Sequence, residues 1–354
     1  MPYQLNKNIL EICLSPDLGG LELHVKNLST YLNAFSVINK TSKLEPFLHE
    51  QSLTYSKIGR YSFFSLAKII DKQEIDIVHL HWTKDIPVVA LAKLISKRKP
   101  KIVQTRHMHM TRFKSDFYHS FLYKNIDLII SVTHLVQKQL ETFIPQDVRP
   151  KIQTCYIGAN TPKVLSHEET TELKTSLGLK NAFIVAIVGR IEEAKGQHIV
   201  LQAVKKLREQ GINAKTLVIG HAMNESYLQN LKETYKDDIF TGFVNNASNL
   251  MQIADCLVLA TKKETFGLVL IEAMKCGICV VGSNQGGPLE IIDHEKTGLL
   301  FESMNSNDLY EKLSDLYEHP NKKEQLAQLG KQKATIDFDE QTQFHQMKTI
   351  LENI

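Results

Sequence analysis

Two acids and two cations stand out for their spacing. Glu264 and Glu272 lie eight positions apart in the run ETFGLVLIEAMKCGICVVGSNQGG (264–287), and Arg190 and Lys195 lie five apart in GRIEEAKG (189–196). Arginine presents a planar fork of donors and lysine a flexible point charge, so the two cations on one loop can neutralise a diphosphate. The two acids suit hydroxyl groups on either side of such an anionic centre. Cations flanked by hydroxyl-binding carboxylates match a nucleotide diphosphate sugar. A structural reading competes: Glu264 could cap a helix and Glu272 could be a solvated surface acid.

The elements around these residues predict how they are positioned. The run ADCLVLA (254–260) reads as a buried strand, 261–264 as a loop, and 268–274 carries apolar residues at helical spacing. Gly277 suits a helix end, and Ile278–Val281 is the next strand. This is one right-handed βαβ unit, and ligands of open α/β sheets bind at the carboxyl ends of the strands. Glu264 would sit there, with the backbone N–H groups of Thr265, Phe266 and Gly267 at a helix N-terminus, where anions are stabilised. Glu272, about five residues into the helix, would be about 8 Å further along its axis. Upstream, Phe183–Val188 reads as a strand buried on both faces, followed by the cation loop and a helix from about Gln197 to Gln210.

The earlier part of the chain reads in the same way. NILEICL (8–14) is a first strand, Ser15–Gly20 a glycine-ending loop, and 21–32 an amphipathic helix. Strands are expected at Asp76–Leu80, Lys101–Thr105, Asp127–Ser131 and Cys155–Gly158, with helices at Ser62–Ile70, Ile86–Ile95, Phe113–Tyr123 and Thr133–Phe143 between them. Residues 34–60 carry no clear pattern, and Ala159 to about Leu177 is polar enough for a linker. The strand at Lys101–Thr105 delivers Arg106-His107-Met108-His109 to a carboxyl edge.

With these residues in place, the sequence resembles the retaining glycosyltransferases of the large family 4 group. The resemblance rests on E-x7-E from Glu264 to Glu272, with Phe266, Gly267 and Ala273-Met274 around it, and continues through Gly277, Gly286-Gly287, Glu290-Ile291 and Thr297–Leu300. It extends upstream to G-R-x4-K-G at Gly189–Gly196. It implies a GT-B fold: α/β, two Rossmann-like domains with parallel sheets facing a central cleft. The domains would be an acceptor-side domain at 1–160, a donor domain at 161–334 and a C-terminal helix, 335–354, crossing back to the first. It further implies that Gly19 and Gly20 close over donor phosphates and acceptor, that His107 is the active-site histidine (with His109 near enough to exchange with it), and that Glu264 binds the donor sugar. Arg190, Lys195 and the N–H groups of Thr265 to Leu268 would meet the diphosphate, Glu272 the ribose, and Phe243 and Val244 the base.

The resemblance implies transfer from a nucleotide diphosphate sugar, UDP- or GDP-linked, to a glycan or lipid-linked acceptor with retention of anomeric configuration. No metal and no cofactor beyond that co-substrate are expected. The His79/His81 and His107/His109 pairs invite a metal reading, but their spacing supplies neither a carboxylate set nor cysteines. Cys276 and Cys279 have redox-motif spacing but fall at a helix C-terminus, where the dipole opposes a thiolate. A nucleotide-sugar epimerase and a noncatalytic sugar-nucleotide-binding subunit share the donor. A nicotinamide dehydrogenase would need G-x-G-x-x-G, which is absent.

Composition bounds the rest. At 354 residues the chain exceeds what one core usually serves. Five scattered cysteines suggest no disulfide scaffold. No run approaches the length of a membrane span, and MPYQLNKNIL lacks a secretory apolar segment, so a cytoplasmic location is expected. Residues 1–160 carry 21 Lys and Arg against 13 Asp and Glu, whereas 161–354 carry 21 against 26. The basic half includes Lys93, Lys97, Arg98, Lys99 and Lys101, which could draw the protein to the anionic inner face of a membrane at about 1 kcal/mol per residue; the alternative is a solvated helix end. No nucleic-acid partner is expected.

Overall fold

Short apolar runs separated by amphipathic helices can bury both faces of a strand only in a parallel sheet covered by helices. The computed structural model, which describes residues 7–244 and 246–354, contains two such sheets. Of the described residues, those from 7 to 157 with 341–354 form one compact unit and those from 158 to 340 the other.

The sheet of the first unit comprises β1 (Ile9–Cys13), β2 (Phe35–Asn39), β3 (Tyr55–Ile58), β4 (Ile77–Leu80), β5 (Lys101–Arg106), β6 (Leu128–Ser131) and β7 (Lys151–Thr154). Their order is β3-β2-β1-β4-β5-β6-β7, parallel throughout. The order reverses between β1 and β4, where Glu11 is in register with His79. The last helix, Glu340–Glu352, contributes Phe344, Met347 and Leu351 to a core with Ile9, Leu28, Ile77 and Val103. Each such side chain, fully buried, is worth about 1.5–3 kcal/mol.

The second sheet comprises β8 (Phe183–Val188), β9 (Ala214–Ile219), β10 (Ile239–Gly242), β11 (Cys256–Leu259), β12 (Cys279–Ser283) and β13 (Leu299–Phe301). Its order is β10-β9-β8-β11-β12-β13, again parallel, with the reversal between β8 and β11. The loops leaving these two strands carry Arg190, Lys195 and Glu264.

Several expectations are corrected. The unread stretch 34–60 holds β2, a helix at Glu45–Glu50 and β3. The last strand of the first sheet is Lys151–Thr154 and not Cys155–Gly158; it is an edge strand whose residues are exposed or half-buried in alternation, so no apolar run marks it. The expected linker contains a helix, His167–Ser176, which buries no side chain and therefore has no apolar stripe. Its capping box is the signal: Ser166 Oγ accepts from the Glu169 N–H and Glu169 Oε2 accepts from the Ser166 N–H, at 3.1 and 2.7 Å. The aromatic helix starts at Phe117, where Asp116 caps it, and not at Phe113. The helix Pro320–Asp337 takes up Thr335 to Asp337, which were expected in the final helix. Among the described residues no helix is long and apolar enough to cross a membrane.

Candidate active site

In the second unit the loops after β8 and β11 are joined by backbone, the Lys262 N–H donating to the Ala194 carbonyl at 3.1 Å. Within the β8 loop, Gln197 Nε2 donates to the Arg190 carbonyl at 2.9 Å. Gly196 lies so close to Ala260 that a Cβ would stand 2.5 Å from its carbonyl oxygen. Lys195 is thereby brought to Glu264, Nζ to Oε2 3.3 Å, with side chains 28% and 18% exposed. Arg190 is more open and lies 3.2 Å from Glu192 Oε1. Each cation of the pair thus rests on a carboxylate, and an incoming diphosphate would have to draw them away.

The turn carrying Glu264 is shaped by two further glycines. A Cβ at Gly286 would stand 2.1 Å from the Glu264 carbonyl oxygen, and one at Gly287 1.9 Å from that of Phe266. Only glycine allows this approach, which fixes the turn beside the N-terminus of the helix Leu268–Lys275, capped by Gly267. The Phe266 side chain is buried, its ring 6.0 Å from that of Phe338, so this residue offers the site only its backbone. Thr265 departs from the expectation: its N–H donates to Glu264 Oε1 at 3.2 Å. Thr265 lies ahead of the helix cap, so the N–H groups at the helix N-terminus itself are those of Gly267 and Leu268 onward. Burial pushes the Glu272 carboxyl up to about 7. Phe243 is 70% exposed after β10, its ring centroid 6.2 Å from that of His221, and half-buried Val244 follows it. Cys276 and Cys279 are free thiols pushed up by burial to about 11 and 12.

The first unit assembles a different set. His107 follows β5 and is half-buried; its Nε2 lies 3.2 Å from His81 Nδ1. His81 Nε2 lies 2.6 Å from Glu11 Oε2, Glu11 Oε1 lies 3.0 Å from His79 Nδ1, and His79 Nε2 lies 2.7 Å from Thr105 Oγ1. Burial pushes the Glu11 carboxyl up, but His79 and His81 outweigh it and hold the group down at about 2. An ionised carboxylate only accepts hydrogen bonds, so it fixes the tautomers along the chain. His81 donates from Nε2 and accepts at Nδ1 from the Nε2–H of His107, which leaves the His107 Nδ1 lone pair for a hydroxyl proton. Burial keeps His81 neutral, down at about 4, and burial with its histidine neighbours puts His107 well below its ordinary value. His109 is turned toward Gln139, with Nδ1 3.3 Å from Gln139 Oε1.

His24, on the helix Gly20–Leu32, faces the same group: its ring centroid is 5.7 Å from that of His81 and 5.2 Å from that of His107. Gly19 caps this helix, and a Cβ on Gly20 would meet no protein atom within 4 Å, so packing in the fold does not require glycine there. Motif reading missed Glu11, His24 and Glu192. Glu11 was legible in principle, since a carboxylate inside a strand buried on both faces must have partners. The missing carboxylate that argued against a metal at the His79/His81 pair is also present, supplied from β1.

The basic cluster is largely compensated. Lys93 and Lys101 pair with Asp127 at 2.8 and 2.9 Å, Arg98 pairs with Asp76 at 2.5 Å, and the backbone N–H groups of Lys97 and Arg98 go to Asp71. Nearby in this unit a cavity of about 430 Å³ is lined by Tyr61, Phe63, Leu91, Tyr118, Arg60 and Lys84, among others.

Two parallel sheets of this order, with a diphosphate-suited turn at one reversal and a histidine-bearing edge at the other, define the GT-B class of α/β proteins. Residues 168–333 match the family described as glycosyl transferases group 1 and residues 11–133 the glycosyl transferase 4-like family, together well over half of the chain. The protein belongs to this glycosyltransferase group. It is 29% identical to N-acetyl-alpha-D-glucosaminyl L-malate synthase of Bacillus anthracis over 273 residues, 72% of this chain and 70% of that protein. It is 24% identical to the capsular polysaccharide biosynthesis glycosyltransferase CapM of Staphylococcus aureus over 49% of this chain and 46% of that protein. The fold matches that of Anabaena Alr3699/HepE in complex with UDP-glucose, with a TM-score of 0.87, 20% identity, and coverage of 99% of this chain and 100% of that one.

Proposed function

We propose that the protein transfers a sugar, with retention, from a nucleotide diphosphate sugar to a glycan or lipid-linked acceptor, and does so without a divalent metal at the diphosphate. The observation that carries this reading is Lys195 held at Glu264 across the β8 and β11 loops, with Arg190 on the same loop. As the glycosidic bond breaks, negative charge grows on the diphosphate. Preorganised Arg190, Lys195 and the N–H groups at Gly267 and Leu268 would stabilise that charge. When the diphosphate binds, before that bond breaks, Lys195 leaves Glu264, whose carboxylate becomes available to hydroxyls of the donor sugar. Glu272 binds the ribose, and Phe243 with Val244 packs on the base. His107 Nδ1 orients a hydroxyl of donor sugar or acceptor, and the departing phosphate takes the acceptor proton.

An acceptor with an apolar part suits the aromatic cavity of the first unit, where Arg60 and Lys84 could meet an anionic group. For peripheral membrane contact the support is narrower than the charge count: Leu94 and Ile95, 47% and 44% exposed, stand beside Lys97 and Lys99. Failure of the protein to sediment with anionic vesicles would end that part.

The test of the reading is a panel of UDP- and GDP-sugars screened by ligand-induced melting shifts, followed by transfer in chelator and determination of the anomeric configuration of the product. The expected result is one nucleotide class that stabilises the protein, transfer undiminished by chelator and a retained configuration. An inverted product, or transfer that chelator abolishes and added magnesium restores, would overturn it.

A further inference from the structure

The histidines of the first unit have a geometry that the proposed transfer does not use. One ring nitrogen from each of His24, His81 and His107 lies within 4.8 Å of the others. His81 Nδ1 and His107 Nε2 are 3.2 Å apart, and two nitrogens bound at about 2.0–2.1 Å around a tetrahedral ion would be separated by about 3.3 Å. His24 is buried, and its Nε2 has no hydrogen-bond partner. A buried imidazole nitrogen left without a partner costs about 1–3 kcal/mol, and in this position it is readily explained as a ligand atom.

We propose that His24, His81 and His107 form a binding site for a divalent transition ion of the zinc class, with Glu11 as the carboxylate behind it. Three neutral imidazoles are the ligand set that zinc favours in open, three-ligand sites, and the fourth position would face the half-buried side of His107. Glu11 Oε2, 2.6 Å from His81 Nε2, completes the carboxylate–histidine–metal arrangement that fixes ring orientation and raises ligand basicity. His79 and Thr105 hold the other oxygen of that carboxylate in line. On binding, the ion takes the place of the proton between His81 Nδ1 and His107 Nε2, and that proton moves to His107 Nδ1, so all three rings stay neutral. Occupancy would engage His107 through Nε2 and turn its Nδ1 from an acceptor into an N–H donor toward a hydroxyl oxygen. The diphosphate loop is not part of this site, so the proposal is separate from the metal-free phosphate chemistry.

The experiment uses the full chain, stripped with chelator and titrated with cobalt(II), then with zinc. The expected result is one equivalent of cobalt with the intense visible absorption of four-coordinate nitrogen ligation, displaced by zinc. His24→Phe keeps an aromatic ring beside Phe344 and gives up no hydrogen bond at Nε2, so it should fold, and it should lose the band and weaken binding at least a hundredfold. Glu11→Gln should keep the band with binding weakened about 10–100-fold. Absence of an intense band in the parent protein would overturn the proposal, as would a His24→Phe variant that binds cobalt as the parent does. Because the readout is absorption and not transfer, failure here leaves the donor reading untouched, and failure of that reading leaves this one standing.

Discussion

The two units place their polar groups in opposite ways on the same kind of sheet. In the second unit the charged groups sit on loops beyond β8 and β11, and the cations are already paired with neighbours at 3.2 and 3.3 Å on partly exposed side chains. Such pairs are easily exchanged for a ligand, because water and ions share their cost. In the first unit Glu11 and His79 sit within the strands themselves, fully buried, and His81 directly after β4. Their hydrogen bonds cannot be traded for water, so they fix orientation and tautomer. One unit keeps its charged groups exchangeable, the other holds its rings still.

Lys195→Ala is the largest blow to the first half of this contrast. Removing one preorganised charge donor from a developing anion costs about 10²–10³ in turnover. Since Lys195 and Glu264 are partly exposed, the melting temperature should barely move. Single-turnover transfer with the donor identified by the screen, alongside a melt, checks both. Near-normal turnover would mean that the loops after β8 and β11 do not meet the diphosphate.

Glu11→Gln tests the other half through stability. Replacing a buried acceptor that serves two histidines should cost about 1–3 kcal/mol, read by denaturant unfolding. Acid gives the same result without mutation. The Glu11 pKa, about 2 in the folded chain against 4.5 for the ordinary group, is depressed, so its contribution is fully present above pH 4.5 and is lost as pH falls toward 2. The parent should lose stability over that window more steeply than the variant. Equal slopes would show that the carboxylate is not held by its histidines.

This division also explains what the sequence could show. The donor half was legible because its residues lie close in the chain, on turns punctuated by glycine, and β8, β11 and the helix at Leu268 are marked by uninterrupted apolar runs. The partner of the Thr265 N–H was not legible, because the side chain that accepts from it is that of the adjacent Glu264. The network as a whole was not legible, since Glu11, His24, His79, His81 and His107 come from four separate segments, three brought together by the parallel register of β1, β4 and β5 and one by the helix Gly20–Leu32. β2 and β7 escaped notice for a related reason: short strands with polar positions have neither a continuous apolar run nor a strict alternation.

Glu272 lies between the two behaviours, a half-buried acid on the helix Leu268–Lys275. Its raised pKa, about 7, means the free protein holds a proton there below neutrality. Hydroxyl donors favour the ionised form, so donor binding should release that proton, and affinity should rise with pH until about 7 and then level off. The limiting slope is about tenfold per pH unit. Calorimetry in buffers of different ionisation enthalpy reads the proton directly. The intact sugar nucleotide must be used, because a terminal phosphate with a pKa of about 6 titrates in the same range. Glu272→Gln should remove the pH dependence; its persistence would place the titrating group elsewhere.

The smallest expected effect is the most discriminating. Arg190 and Glu192, 54% and 30% exposed, form a surface pair 3.2 Å apart, and pairs of this kind are worth about 0.2–1 kcal/mol. If Glu192 only parks the arginine until a diphosphate arrives, Glu192→Gln should tighten donor binding by up to about fivefold, since that cost no longer has to be met. Turnover at saturating donor should not change, because Arg190 reaches the same bound state from either starting point. A weaker affinity would reverse the assignment: Glu192 would then touch the donor itself, and the second unit would hold part of its ligand as rigidly as the first unit holds its histidines.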